Sequence, residues 1–167
     1  LSLLLITVAV LGIGLILSQR QQPVSSDGPA ESGPLVPALA SALNDVSSLR
    51  IVKAKDELVA ELTRTESGWV VSNRHNYPAD IGKVRAYLIK LSEAKLREAK
   101  TSKPENYARI GVEDVSAEGA TGVAVELGGL KEPVRLIVGM ASGGGSPGTF
   151  VRRAGEAESW LVSGDVI

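Results

Sequence analysis

Residues 1–17 form an uncharged and almost wholly apolar run that ends at Ser18, Gln19 and Arg20. A helix over this run rises by about 1.5 Å per residue, roughly 26 Å in all, slightly less than a hydrocarbon core of about 30 Å. Because the sequence begins with Leu rather than Met, we expect the missing part of the span to lie upstream. The run predicts a single transmembrane anchor, since no later segment approaches the roughly 20 apolar residues that another span needs.

Two other interpretations of this run stay open, namely a cleaved signal peptide and a buried helix of a soluble protein. A signal peptide usually ends in a small-x-small cleavage motif, and residues 18–22 do not contain one. The sequence has no cysteine, which excludes a lipid-modified N-terminal Cys. The lack of cysteine fits an extracytoplasmic domain that avoids accidental oxidation, and it also fits many cytosolic domains.

Residues 18–37 contain four prolines, two glycines and several serines. Such a segment cannot bury enough apolar surface to offset its ordering entropy, so we expect a flexible tether there. Residues 38–167 are long enough for one compact domain with its own core. The chain carries 18 Lys and Arg against 19 Asp and Glu, and no basic stripe argues for nucleic acid or anionic lipid heads.

Strand patterns dominate this domain, with one clear helix. Residues 57–64 alternate as a strand that would place Leu58 and Leu62 on one face. The helix follows Asp80, a suitable N-cap, and its apolar stripe consists of Ile81, Val84, Leu88 and Leu91. The other predicted elements are short helices over residues 37–43 and 103–110, the second closed by Gly111, and strands over residues 47–54, 69–71, 96–101, 122–127, 134–138, 149–153 and 159–163. This order indicates a mainly antiparallel α+β domain with one principal amphipathic helix, preceded by a single transmembrane helix.

Few residues suggest catalysis or metal binding. His75 is the single histidine, and one histidine without cysteine cannot build a His-rich or Cys-rich metal centre. Asp80, Glu113 and Asp114 lie at the ends of predicted elements, where carboxylates commonly cap helices or close turns. We therefore predict no catalytic, cofactor-binding or metal-ligating residue; a catalytic base or a metal ligand at His75 is the alternative.

Other residues are candidates for binding or for the core. Residues 139–148 have the glycine span of a P-loop but lack its Lys and Ser or Thr, so they predict a hairpin loop. Arg152, Arg153 and Tyr77 are the candidate partner-binding residues, although neighbouring arginines on a strand point to opposite faces and only one can join a given patch. Trp69 and Trp160 fall in strands and are expected in the core.

Six segments in series carry a family resemblance. They are Gly68-Trp69-Val70-Val71, Tyr77-Pro78-Ala79-Asp80 with Lys83-Val84-Arg85, Lys100-Thr101-Ser102, Tyr107-Ala108-Arg109-Ile110-Gly111-Val112-Glu113-Asp114, Thr149-Phe150-Val151-Arg152-Arg153 and Trp160-Leu161-Val162-Ser163-Gly164-Asp165. In order and spacing they resemble the bacterial domain-of-unknown-function 4340 family over most of residues 43–165.

This resemblance implies a membrane-anchored protein with an extracytoplasmic domain, often encoded near an ABC transporter and a gliding-motility-type auxiliary subunit. It implies no established enzymatic activity and supplies no catalytic residues. Family members commonly continue past the position of Asp165, so the resemblance also implies a domain longer than this chain.

The leading functional hypothesis is a non-enzymatic accessory or scaffold domain of an ABC-transporter-type envelope complex, without a cofactor. One helix would hold it at the bacterial cytoplasmic membrane, facing the periplasm or the cell exterior. Its expected partners are membrane proteins, a transporter permease or auxiliary subunit. The alternatives are a solute- or envelope-polymer-binding module and, last, an envelope hydrolase. An exposed apolar patch would favour a protein partner, and a deep pocket lined by Tyr or Trp would favour a small ligand.

Overall fold

The computed structural model describes residues 33–143, 147–163 and 166. The predicted anchor and most of the predicted tether, residues 1–32, lie outside the described residues. Within the described part of the chain, no helix is both long and apolar enough to cross a membrane. The described residues form an α+β domain with one large antiparallel sheet and few helices, as predicted.

The elements follow one another along the chain as α1 (Leu39–Ala42), β1 (Ser48–Lys53), β2 (Glu57–Thr65), β3 (Gly68–Val71), β4 (Tyr77–Pro78), α2 (Ile81–Glu93), β5 (Leu96–Thr101), β6 (Val123–Gly128), β7 (Val134–Ser142), β8 (Gly148–Arg153) and β9 (Ser159–Val162). Short 3₁₀ helices lie at Leu43–Asp45, Ala54–Asp56, Ser72–Arg74 and Pro104–Arg109. The strand order is β4-β3-β2-β1-β6-β7-β8-β9-β5, and each neighbouring pair is antiparallel.

The folded domain begins earlier than predicted. Leu35 and Val36, which the composition assigned to the tether, are buried in the main core. The backbone N–H of Leu35 donates to the carbonyl of Ala94 at 2.8 Å, and that of Leu96 donates to the carbonyl of Gly33 at 2.9 Å. The predicted tether boundary at residue 37 was therefore wrong, because two apolar side chains between the prolines join the core.

Helix α2 covers one face of the sheet. Asp80 caps it, since its Oδ1 accepts a hydrogen bond from the backbone N–H of Lys83 at 3.1 Å. Val84, Leu88 and Leu91 are buried in the main core, as predicted. Ile81 is instead 54% exposed and lies outside the main core, so its place in the predicted buried stripe was wrong; its Cδ1 lies near Gly68 at the start of β3.

The opposite face of the sheet is covered by the segment between β5 and β6. Leu136 and Val138 of β7 belong to the main core, so Ile137 between them points to the opposite face. There Ile137 packs with Tyr107 and Val112. This segment includes the predicted short helix, which Gly111 follows with a φ of +72°.

A β-bulge changes which residues of β2 share a face. The pairing of β1 with β2 shifts register between Ile51 and Val52. Leu62 consequently packs against the main core, whereas Leu58 packs with Val52 and Ala124. The prediction that Leu58 and Leu62 share a face was wrong because an extra residue reverses the alternation of side chains.

A ladder of alternating charges crosses four central strands. Arg50 of β1 lies opposite Glu61 of β2 and Glu126 of β6, and Glu126 lies opposite Arg135 of β7. The ion pairs measure 3.3 Å from Arg50 to Glu61, 2.8 Å from Arg50 to Glu126 and 3.1 Å from Arg135 to Glu126. These charges therefore have partners within the protein and form part of the sheet's framework.

The glycine-rich residues 139–148 belong to the hairpin of strands β7 and β8. Ser142 at the end of β7 pairs with Gly148 at the start of β8, while residues 144–146 lie outside the described residues. The chain therefore returns to a strand, as predicted, rather than to the helix of a P-loop. Both Trp69 and Trp160 pack against the main core but are only partly buried.

Candidate functional site

A groove lies between α2, the β2–β3 hairpin and the end of α1, with a volume of about 520 Å³. Its apolar lining includes Leu43, Trp69, Ile81, Leu88 and Ile89. We call this feature the α2 groove. Its lining therefore combines an aromatic residue with several large aliphatic side chains.

One wall of the α2 groove is a row of side chains along the helix. Ile81, Arg85 and Ile89 are spaced by four residues, so they lie one above another on the same side of α2. Ile81 is 54% exposed and Ile89 is 38% exposed. The row therefore consists of two exposed apolar side chains, Ile81 and Ile89, with the guanidinium group of Arg85 between them.

The opposite wall depends on a glycine at the start of β3. Gly68 has a φ of +128°, and a Cβ at this position would lie 3.0 Å from Cδ1 of Ile81. Because Gly68 has no side chain, Ile81 can lie close to the backbone of β3 without having to shift. Trp69 follows and contributes its ring to the lining.

Two arginines give the α2 groove its charge. Nη1 of Arg64 donates a 2.6 Å hydrogen bond to the carbonyl of Asn44, which holds this guanidinium at the groove's edge. Arg85 is exposed, and among the described residues it has no hydrogen bond or ion pair. No Asp or Glu of the described chain lines the groove, so it is apolar and positively charged.

Arg152, a candidate partner-binding residue, faces the protein interior and is only 4% exposed. Its Nε donates to the carbonyl of Val112 at 2.9 Å, and Nη1 donates to that of Glu156 at 3.2 Å. Nη2 donates to Oδ1 of Asp114 at 2.7 Å, and the guanidinium carbon lies 4.6 Å from the centre of the Tyr107 ring. Arg152 thus binds the segment between β5 and β6 to strand β8, and its side chain does not face a partner.

Arg153 points to the other face of the sheet and is partly buried. Its Nε and Nη2 both donate to the carbonyl of Leu35, at 3.0 and 2.8 Å. Its Nη1 lies 3.4 Å from Oε2 of Glu156. The two arginines therefore point in opposite directions, as expected for strand neighbours, and Arg153 chiefly holds the N-terminal segment against the sheet.

Tyr77 and His75 lie on the surface near one edge of the sheet. Tyr77 is 71% exposed on the edge strand β4, outside the lining of the α2 groove. His75 is exposed at the end of a 3₁₀ helix with a φ of +57°. In the described part of the chain, no group of three or more His, Cys, Asp or Glu could hold a metal ion.

A shallow concavity next to Arg152 also has polar residues in its lining. Tyr107, Glu113 and Asp114 contribute to its lining. Oε2 of Glu113 is buried, and no described residue gives it a hydrogen bond. The phenol of Tyr107 donates to the carbonyl of Ala157 at 2.6 Å, and Asp114 accepts from Arg152.

The family model for a domain of unknown function, DUF4340, matches residues 69–166, more than half of the chain. The chain belongs to the DUF4340 family. The match confirms the resemblance inferred from the motifs, although it begins at Trp69 and leaves α1, β1 and β2 before it. Comparison with curated proteins and with solved structures gave no significant match.

The α2 groove, whose lining lies partly before and partly inside the DUF4340 match, was not predicted from the sequence. Ile81 was predicted to belong to the buried stripe of the helix, and Arg85 was not among the predicted site residues. The available signal was Ile89, an apolar residue outside the stripe that lies four residues after Arg85. The contribution of Arg64 could not be found this way, because it depends on how the β2–β3 hairpin packs beside α2.

Proposed function

We propose that this DUF4340 protein is a non-enzymatic, membrane-anchored accessory subunit of an ABC-transporter-type complex. Its domain docks a membrane-protein partner, a permease or auxiliary subunit, in the α2 groove. It acts at the outer side of the bacterial cytoplasmic membrane, facing the periplasm or the cell exterior. The apolar run of residues 1–17 supports the anchor, the family resemblance supports the transporter association, and the α2 groove supports the docking role.

The observation that carries the docking proposal is the exposed row of Ile81 and Ile89 beside Trp69. Exposed large apolar side chains along one groove cost solvation free energy until a partner covers them. The row stands at the rim of an open groove, which suits a polypeptide segment better than an enclosed small molecule.

A solute or an anionic envelope polymer is the second candidate. The presence of Trp69, Arg64 and Arg85 in one lining favours it, because a flat ligand with acidic groups can stack on an aromatic face and pair with guanidinium groups. The two exposed isoleucines favour the protein partner, since a hydrated polymer gains little from covering them.

The predicted anchor and tether would keep the domain close to the membrane and to a partner in it. With the folded domain starting by Gly33, residues 18–32 would separate it from the bilayer. A flexible segment of that length reaches roughly 20 Å, at about 5 to 6 Å times the square root of its length. The partner's effective concentration would then be high, so a weak contact at the α2 groove can suffice.

Quantitative co-purification tests the proposal. The tagged full-length chain is crosslinked in native cells, purified from membranes, and compared with an Ile89→Asp variant and an Ala86→Asp control on the outward side of α2. We expect transporter permease or auxiliary subunits with the wild type and with Ala86→Asp, and a large loss with Ile89→Asp. Consistent absence of such subunits from the well-expressed wild type would contradict the accessory role and favour the solute-binding alternative.

A further inference from the structure

We propose that the segment docked in the α2 groove carries a carboxylate side chain with large apolar residues on both sides. This inference rests on the proposed docking function, and it adds the chemistry of the partner. The carboxylate pairs with Arg85, and its apolar neighbours cover Ile81 and Ile89.

The spacing along α2 defines this apolar–anionic–apolar pattern. A rise of about 1.5 Å per residue places Arg85 about 6 Å along the axis from both Ile81 and Ile89. The partner must therefore offer apolar, anionic and apolar groups at similar intervals. A helix with these groups four residues apart does so, and helices that dock in grooves use this type of spacing.

The charges of the α2 groove favour an anionic group on the partner. Arg85 has no described partner, and no described acidic residue lines the groove. An apolar segment without an anion would remove this guanidinium from water and leave it unpaired, which is unfavourable. Arg64, held by the carbonyl of Asn44, adds a second positive charge to the same groove.

The shape favours a polypeptide over an anionic membrane surface. Trp69 and Leu88 line the inside of the groove, whereas residues that insert into a bilayer project from a convex surface. A side chain of an inserted segment can reach this lining, and a flat layer of lipid headgroups cannot. We therefore assign the groove to a protein segment.

Site-specific photocrosslinking in native cells tests this assignment. A benzophenone amino acid replaces Ile89 in the full-length chain, alone or combined with Arg85→Glu, Arg85→Gln or Lys83→Glu. The Lys83→Glu variant is the matched control, because it makes the same charge change on the same helix outside the groove lining. The crosslinked peptide is then identified by mass spectrometry.

We expect a protein adduct whose attachment site lies within about one helical turn of an Asp or Glu. Arg85→Glu should lower its yield at least about tenfold, because like charges then meet in a partly desolvated contact. Arg85→Gln should lower it less, and Lys83→Glu should leave it unchanged. Replacement of the partner's carboxylate by Lys should restore the adduct in the Arg85→Glu variant.

The alternative outcomes separate the two proposals. An undiminished protein adduct in the Arg85→Glu variant, or an attachment site without a nearby carboxylate, overturns the inferred chemistry and leaves docking at the groove intact. A lipid adduct or no adduct from the wild-type groove overturns the docking proposal itself.

Discussion

Replacement of Arg152 by Met should destabilise the domain far more than loss of its acidic partner. The guanidinium makes three hydrogen bonds, of which the bond to the carbonyl of Val112 is buried and that to the carbonyl of Glu156 is partly buried. It also lies against the Tyr107 ring. Met keeps much of the packing volume but cannot donate to either carbonyl.

The expected loss follows from these contacts. Hydrogen bonds from a charged donor contribute about 1.5 to 3 kcal/mol each, and a desolvated cation–π contact adds about 2 kcal/mol. Removal of a buried charge recovers part of this sum, since its desolvation penalty also disappears. We therefore expect Arg152→Met to lower the free energy of unfolding by about 2 to 4 kcal/mol.

Asp114→Asn should cost much less, because the Asp114 side chain is 68% exposed. Water and salt screen such a pair, so we expect a loss below about 1 kcal/mol. Urea unfolding of the full-length chain in mild detergent, followed by tryptophan fluorescence, measures both values, since the chain's two tryptophans, Trp69 and Trp160, lie in the folded domain. Equal losses for Arg152→Met and Asp114→Asn would refute the reasoning.

The other predictions concern the charge ladder, the histidine and the predicted anchor. Glu126→Gln should lower the free energy of unfolding by about 1 to 2 kcal/mol, because two arginines lose a shared carboxylate, and a loss that does not shrink in 1 M salt would contradict this cause. His75→Ala should change the free energy of unfolding by less than about 1 kcal/mol and leave partner recovery unchanged, since the side chain is exposed; lost recovery at normal protein level would give His75 a direct role. Deletion of residues 1–17 should move the protein from the membrane to the soluble fraction, and continued sedimentation with membranes after a high-salt wash would show a second membrane contact.

Local patterns predicted most of the elements correctly. The capped helix α2 was predictable because Asp80 and the buried residues Val84, Leu88 and Leu91 fall within one short window of sequence. The strand Leu96–Thr101 was predicted with the bounds that the structure has. Such elements depend on periodicity and capping, which neighbouring residues determine.

Features that depend on distant segments were missed. The bulge that separates Leu58 from Leu62 arises from the pairing of β1 with β2, and alternation within β2 does not reveal it. The burial of Leu35 and Val36 depends on hydrogen bonds to residues 94–96. Arg152 looked exposed in the sequence because its acceptors lie far away along the chain, at Val112 and Asp114.

The site was the least predictable part for the same reason. The row of Ile81, Arg85 and Ile89 is visible in the sequence once helix α2 is known. Arg64 and Trp69 reach the same groove only because the β2–β3 hairpin packs beside α2. A binding surface assembled from two separated elements needs the tertiary structure.

The most direct test of docking at the α2 groove is a photocrosslinking scan over the large apolar residues on the domain's surface. The photoreactive residue is placed in turn at Ile81, Ile89, Val59, Met140 and Tyr77 of the full-length chain, all of which are exposed. We predict the same transporter-subunit adduct from Ile81 and Ile89, and none from Val59 or Met140. Capture of that subunit from Val59 or Met140 as strongly as from Ile89 would contradict docking at the α2 groove.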